Sequence, residues 1–169
     1  MATKSKLEFS VGDYVVYPAH GVGRVQGIEK HTMAEQIEVQ PYSIYFDKER
    51  MTLKIPTNKA DTSGLRKLSS KDRIREAMET LRGRSRIRRT MWSRRAQEYE
   101  AKINSGDPVS IAEVVRDLHR AEDQPEQSYS ERQIYQAALE RLSRELAAVE
   151  RIDEPKATER LEEVLRKVA

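Results

Sequence analysis

The sequence predicts an α+β protein in which a small β-barrel precedes a domain of about five helices. Up to Pro56, apolar and β-branched residues come in short alternating runs, and beyond it apolar residues recur at helical spacing. Turn residues separate the short runs, which is typical of closely connected antiparallel strands. We therefore place a β domain at residues 1–60, a linker at 61–69 and a helical domain at 70–169.

The first part of the chain holds four or five strand-like runs. The run at 14–17 ends in the segment P-A-H-G-V-G at 18–23, whose glycines we interpret as turn residues rather than as a phosphate-binding loop. Further runs lie at 22–28, 37–46 and 51–55. Several short strands with close turns favour a small barrel of the SH3 or Tudor kind.

Beyond Pro56 we expect helices and no further strand. Capping residues or proline mark five helix starts: Ser70, Thr90, Asp107 with Pro108, Ser130 with Gln133, and Pro155. Apolar residues at helical spacing follow each start, and Gly83 and Gly106 are stop signals for the first two helices.

Composition excludes several classes of function. The chain has no cysteine, which excludes disulfides, thiol catalysis and cysteine-bound metal, and fits a reducing, cytoplasmic compartment. No apolar stretch suggests a signal peptide or a membrane span. The three histidines are far apart and no nucleotide-binding or hydrolase motif occurs. We therefore expect neither an enzyme nor a cofactor.

The net charge of +3 conceals an uneven distribution. Residues 66–105 carry 13 basic and 5 acidic side chains, whereas residues 106–169 carry 10 basic and 15 acidic ones. A basic segment beside an acidic one is expected of a protein that lays one face on a polyanion. Nucleic acid and a membrane surface are the two candidates at this point.

The most informative segment is 82–95, in which seven of fourteen residues are arginine and none is acidic. It contains the single tryptophan, Trp92, and the arginines nearest to that residue are Arg88, Arg89, Arg94 and Arg95. If Thr90 caps the helix, Trp92 lies in its first turn, at an end with positive dipole charge. Two interpretations stay open, a core tryptophan and one that faces nucleic acid.

An exposed indole among arginines suits distorted DNA. Arginines hold phosphates or enter a narrow minor groove, while a flat side chain wedges against a base step. Unstacking a step costs a few kcal/mol, so it is favoured where the duplex is already opening. We expect weak, salt-sensitive binding with little sequence preference.

Four segments resemble the bacterial CarD/CdnL transcription regulators, in the same order along the chain. They are V-G-D-Y-V-V-Y-P-A-H-G-V-G at 11–23, W-S-R-R at 92–95, S-G-D at 105–107 and A-E-V-V-R-D-L at 112–118. The resemblance implies a Tudor-like domain that binds the β subunit of RNA polymerase and a helical domain that contacts promoter DNA. It also implies that Trp92 wedges into the minor groove at the upstream edge of the transcription bubble, with Arg94 and Arg95 beside it on the DNA.

The resemblance also implies that polymerase binds the exposed edge of the barrel. The residues that correspond to this contact are Met51, Leu53, Lys54, Ile55, Pro56 and His31, of which His31 stands where some members carry arginine. Strand addition at an edge supplies main-chain hydrogen bonds without a deep pocket. From the residues alone, an ordinary strand with its terminator explains this segment equally well.

Our hypothesis is a transcription regulator, monomeric when free, that binds polymerase and stabilises the opened promoter. The alternative is an interaction module whose arginines dock on an acidic protein or an anionic surface, with no direct role at DNA. A third possibility, the polymerase-binding module of a repair translocase, is disfavoured because the chain has no P-loop.

Overall fold

The structure, a computed structural model, describes residues 9–28, 31–32, 38–39, 41–56, 63–85, 90–120 and 127–168. The chain divides into two compact units, Met1–Leu68 and Ser69–Ala169. The first unit holds the strands and the second holds the helices, so the predicted α+β fold class is confirmed.

The amino-terminal unit contains a five-stranded antiparallel sheet and a separate two-stranded one. Its strands are β1 (Tyr14–Tyr17), β2 (Gly21–Ile28), β3 (His31–Thr32), β4 (Glu38–Val39), β5 (Pro41–Phe46), β6 (Met51–Pro56) and β7 (Arg66–Lys67). The larger sheet has the order β6-β5-β2-β1-β7, and β3 pairs with β4. The core of this unit consists of Phe9, Val15, Val25, Tyr42, Ile44, Phe46, Ile55 and Leu65.

Strand β7 corrects the expectation that no strand follows Pro56. Arg66 pairs with Val16 and Lys67 with Val15, while the preceding residue, Leu65, is buried. The expected linker at 61–69 therefore contributes a strand to the sheet. Two residues are too few to show an alternating pattern, so no periodic signal marks this strand. The predicted strand residue Ile37 lies outside the described residues.

The two glycines of the P-A-H-G-V-G segment serve different purposes. Gly21 has a φ of 81°, the left-handed conformation that a tight turn into β2 requires. Gly23 lies inside β2, where an added Cβ would stand 2.6 Å from Ile44 Cγ2 and 2.8 Å from Phe46 Cε1. The turn interpretation is therefore right for Gly21 and wrong for Gly23, which is needed for close packing of the barrel.

The carboxy-terminal unit is helical. Its helices are α1 (Lys71–Leu81), α2 (Trp92–Asn104), α3 (Pro108–Leu118), α4 (Tyr129–Glu150) and α5 (Glu154–Val168). Two predicted caps are confirmed, because Ser70 Oγ accepts from the backbone N–H of Arg73 and Asp107 Oδ2 from that of Ser110. No helix of the described residues has both the length and the apolar character needed to cross a membrane.

Two other helix starts differ from prediction. Helix α4 begins two residues earlier than expected, because Ser128 Oγ, not Ser130, accepts from the backbone N–H of Glu131 at 3.3 Å. The sequence S-Y-S-E-R-Q contains two overlapping capping boxes, and only the first is used. Helix α5 begins at Glu154, one residue before the predicted Pro155.

One apolar core joins all five helices, and a polar contact ties α1 to the start of α3. Arg73 Nη2 lies 2.7 Å from Asp107 Oδ1. Burial alone would raise the pKa of Asp107, but the hydrogen bonds from Arg73 and Ser110 hold it below its ordinary value. This carboxylate therefore stays ionised while it caps α3.

Candidate nucleic-acid interface

The first turn of α2 is an electropositive end without a side-chain cap. Its N-cap is Met91, not the predicted Thr90, and the Met91 side chain makes no capping hydrogen bond. The amides of Arg94 and Arg95 both bond to Met91 O at 3.1 Å, and the turn contains no acidic residue. Methionine has no strong acceptor, so the helix dipole at this end is not offset by a local oxygen.

Trp92 is the first residue of α2 and lies at the margin of the helical core. Its side chain is partly buried and packs on that core, with its ring centroid 6.3 Å from the ring of Tyr99. The indole Nε1 donates to Ser130 Oγ at 3.2 Å, across to the first turn of α4. Trp92 therefore packs partly on the core without being fully buried, and its contact with nucleic acid stays a prediction.

The two arginines after Trp92 have different surroundings. Arg94 is exposed and takes part in no ion pair within the described part of the chain. Arg95 is partly buried, and its Cζ lies 5.4 Å from the Trp92 ring centroid and 5.7 Å from that of Tyr99. Its Nη2 donates to the Tyr99 hydroxyl at 3.3 Å. Of the two arginines, Arg94 is the more exposed.

Three further residues of this surface were missed by sequence reasoning. Met91 is 77% exposed and Tyr129 is 79% exposed, so both hold large apolar side chains in solvent. Ser130, which follows Tyr129, is the acceptor for the indole N–H. Their positions could have indicated this exposure. Met91 is the cap of α2 and Tyr129 is the first residue of α4, and neither is expected to face a core. The contact of Ser130 with the indole was missed because Ser130 was predicted to cap a helix.

The other two predicted DNA-binding residues, Arg88 and Arg89, lie outside the described residues. The described chain on their amino-terminal side ends with Arg84, which is exposed, and Ser85, whose Oγ donates to Asp117 O at 3.4 Å. Asp117 is buried and paired with Arg116, with 2.9 Å between Nε and Oδ1. The basic segment is thus attached to α3 just before the undescribed residues begin.

A titratable pair lies where α3 ends. His119 Nδ1 is 3.2 Å from the hydroxyl of Tyr135, a residue of α4. Burial lowers the pKa of His119, and the nearby carboxylate of Glu162 opposes this shift only in part. Burial and Glu162 together raise the pKa of Tyr135 to about 12. The pair is therefore neutral near pH 7.

The predicted polymerase contact corresponds to β6, which pairs with β5 along its whole length from Met51↔Phe46 to Pro56↔Pro41. It is an edge strand of the five-stranded sheet in the described chain. Ile55 is buried, Met51 and Leu53 pack against the core, Pro56 is partly buried, and Thr52 and Lys54 are exposed. Five of the six predicted contact residues therefore lie on one edge strand.

The sixth residue, His31, is not part of that sheet. It lies in β3, where it pairs with Val39 of β4 in the separate two-stranded sheet. The sequence prediction grouped it with β6 only through the family resemblance, and the strand pairing does not bring the two together.

Comparison with known proteins yields matches for both units. Residues 9–69 match the family model described as "CarD-like/TRCF RID domain", and residues 76–162 match "CarD, C-terminal domain". The chain is also 32% identical over 146 residues to a Bacillus subtilis (strain 168) protein named "Putative transcription factor YdeB". That alignment covers 86% of this chain and 95% of the relative.

Proposed function

Since this chain belongs to the CarD family of transcription regulators, we propose that it binds the RNA polymerase β subunit and stabilises the open promoter complex. In this proposal β6 of the amino-terminal unit holds polymerase, and the start of α2 contacts the upstream edge of the bubble. The chain needs no catalytic group or cofactor for this work, because it acts by binding alone.

The observation that carries the DNA half of the proposal is the placement of Trp92. The ring is supported from behind by the helical core and lies at an uncapped, positively charged helix start. A supported flat ring can stack on an unstacked base, a contact worth ~1–3 kcal/mol. Because unstacking costs a similar amount in intact duplex, the contact is favourable mainly where the bubble has already opened the step.

Arg94 supplies the electrostatic part of the same contact. Its exposed guanidinium lies two residues from Trp92, so it can neutralise a phosphate next to the wedged step. Arg88 and Arg89 are proposed as further phosphate contacts because they precede the same helix start. Phosphate contacts fix the position of the protein without reading sequence, which agrees with the expected binding of little sequence preference.

The polymerase half of the proposal rests on the edge of the sheet. The main chain of β6 can accept a strand of the β subunit by strand addition, with Lys54 and Thr52 beside the new strand. The match of residues 9–69 to the model described as "CarD-like/TRCF RID domain" supports a polymerase-binding role for this unit as a whole. Attachment to polymerase raises the local concentration of the helical unit at upstream DNA, so a weak wedge is sufficient.

The proposal is tested by the lifetime of the open complex. Polymerase and a promoter fragment are allowed to form open complexes with and without the full-length protein, and a competitor then traps released polymerase. We expect a longer lifetime with the protein, and a direct complex of the protein with an isolated β fragment. If the protein binds the β fragment but leaves the lifetime unchanged, the DNA half is wrong. If it binds neither DNA nor polymerase but does bind acidic proteins or anionic surfaces, the interaction module is the better account.

A further inference from the structure

The two adjacent arginines at the start of α2 occupy different environments. Both follow Trp92 within one turn, and the family resemblance gives both the same role on DNA. On a helix, however, Arg95 at position i+3 shares the face of Trp92, whereas Arg94 at i+2 points elsewhere. Arg94 is exposed and Arg95 is partly buried, as this spacing requires.

The guanidinium of Arg95 is already committed to two aromatic rings. Its Cζ is 5.4 Å from the Trp92 centroid and 5.7 Å from the Tyr99 centroid, both within the range of cation–π attraction. Its Nη2 donates to the Tyr99 hydroxyl, and its Nε is buried without an acceptor in the described structure. A phosphate would have to displace these contacts to bind the Nη2 group, which donates to Tyr99, or the buried Nε–H.

The polar edge of the indole contacts another helix. The Nε1–H of Trp92 donates to Ser130 Oγ at 3.2 Å in the first turn of α4. Thus the ring is fixed on one side by Arg95 and Tyr99 of its own helix and at its polar edge by α4. Its N–H is occupied, which leaves the apolar part of the ring for a base.

From this geometry we infer that Arg95 is a positioning residue, which orients the Trp92 indole before DNA arrives and does not itself hold a phosphate. The inference rests on the proposed function, in which Trp92 is the DNA wedge. An indole that is oriented in the free protein loses little conformational freedom when it meets a base, so a small contact area gives a useful affinity. Arg94 remains the phosphate ligand of this turn.

The single tryptophan makes the orientation directly measurable in the free, full-length protein. Intrinsic fluorescence is excited where tyrosine does not absorb, so that all emission comes from Trp92. For Arg95→Ala we expect emission at longer wavelength, faster decay of anisotropy and stronger quenching by acrylamide, because the ring gains solvent and mobility. The matched control is Arg94→Ala, which removes the same charge one residue away and should leave all three signals as in the unmodified protein.

A second variant separates positioning from charge. Arg95→Lys keeps the positive charge but lacks the planar group that stacks on both rings. We expect it to resemble Arg95→Ala in fluorescence, with the far-UV circular dichroism and the unfolding midpoint of the unmodified protein. Should Arg95→Ala fail to fold, the lysine variant alone decides the matter.

Binding to duplex DNA at several salt concentrations shows which of the two arginines contacts a phosphate. Arg94→Ala should reduce the slope of log K against log salt by ~0.9, the value for one phosphate contact, while Arg95→Ala should lower affinity without changing the slope. Unchanged fluorescence in both Arg95 variants, or a slope reduced by Arg95→Ala as much as by Arg94→Ala, overturns the inference. Because fluorescence is read without DNA or polymerase, failure of the proposed function would leave that signal intact and would show only in the open-complex lifetime.

Discussion

The two proposed contact surfaces of this protein differ in chemistry, since one is main chain and the other is a side chain. In the amino-terminal unit the inward side chains of β6 belong to the core of that unit, so a partner strand added at this edge, as proposed, would meet backbone groups flanked by Thr52 and Lys54. In the helical unit the start of α2 offers an aromatic side chain that is itself braced by side chains. A main-chain contact tolerates many side-chain changes, whereas a contact made by one ring depends on that ring. The difference teaches which substitutions should disable which half of the function.

The largest expected effect is that of Trp92→Ala on the lifetime of the open complex. Removing the ring removes a base stack worth ~1–3 kcal/mol, so the lifetime should fall roughly 5- to 150-fold toward that of polymerase alone. Competitor challenge of preformed complexes measures it. Trp92→Phe is the matched control, since a smaller flat ring should retain part of the effect. Binding to the β fragment should be unaffected, and a parallel loss there would blur the separation between the two units.

The next effect should appear in the amino-terminal unit, where a charge at the rim of the edge strand is reversed. Lys54→Glu should raise the Kd for an isolated β fragment roughly 3- to 10-fold, since rim charges steer association. Lys67→Glu makes the same change on β7, the other edge strand of the same sheet, and should leave the Kd unchanged. Titration of each variant with the β fragment gives both values. Equal losses at the two edges would mean that β6 is not the binding edge.

A smaller effect concerns the electrostatic part of the helical unit. Arg94→Ala should shorten the open-complex lifetime less than Trp92→Ala, because a single phosphate contact at physiological salt contributes less than the ring. Its signature is salt dependence, with a slope reduced by ~0.9. Electrophoretic retardation of a bubble fragment at several salt concentrations measures that slope. A slope equal to that of the unmodified protein would assign Arg94 to an ordinary solvated surface.

The smallest effect is a pH dependence of stability confined to the helical unit. The folded-state pKa of His119 lies below its ordinary value of ~6.5, so the unfolded chain takes up this proton first as pH falls. Its contribution to stability is complete above pH ~6.5 and is lost as pH falls through the folded-state pKa. Urea unfolding at pH 7.5 and at lower pH measures the loss. In His119→Asn the part of the pH dependence of the unfolding free energy that is due to His119 should vanish. The same pH dependence in both proteins would contradict the lowered pKa of His119.

The sequence predicts the helices better than it predicts their caps, for a physical reason. The apolar spacing of α3 identifies its buried face, since burial acts over many residues at once. A cap depends on one side chain, and two serines, at 128 and 130, both fit the local pattern. In the structure Ser128 caps the helix, while Ser130 Oγ accepts from the indole N–H of Trp92. A contact 38 residues apart in sequence cannot be read from local pattern.

The candidate site shows the same limit. Residue types and the run of arginines were sufficient to single out Trp92, and spacing placed Arg94 and Arg95 beside it. Helical spacing already separates the two arginines, since Arg95 shares a face with Trp92 and Arg94 does not. The family resemblance nevertheless gives both the same role, and only the structure shows that the Arg95 guanidinium lies against both rings. Strand β7 was missed because its two residues join the sheet by pairing with β1, a partner about fifty residues earlier in the chain.

The central claim is that the indole of Trp92 meets an unstacked base at the upstream edge of the bubble. It is tested most directly by a promoter that carries a fluorescent base analogue at that edge, bright only when unstacked from its natural neighbours. With polymerase held at saturation, the unmodified protein should change the emission of the analogue, and Trp92→Ala, bound equally well to the β subunit, should leave it as polymerase alone does. The same emission with both proteins would contradict the claim.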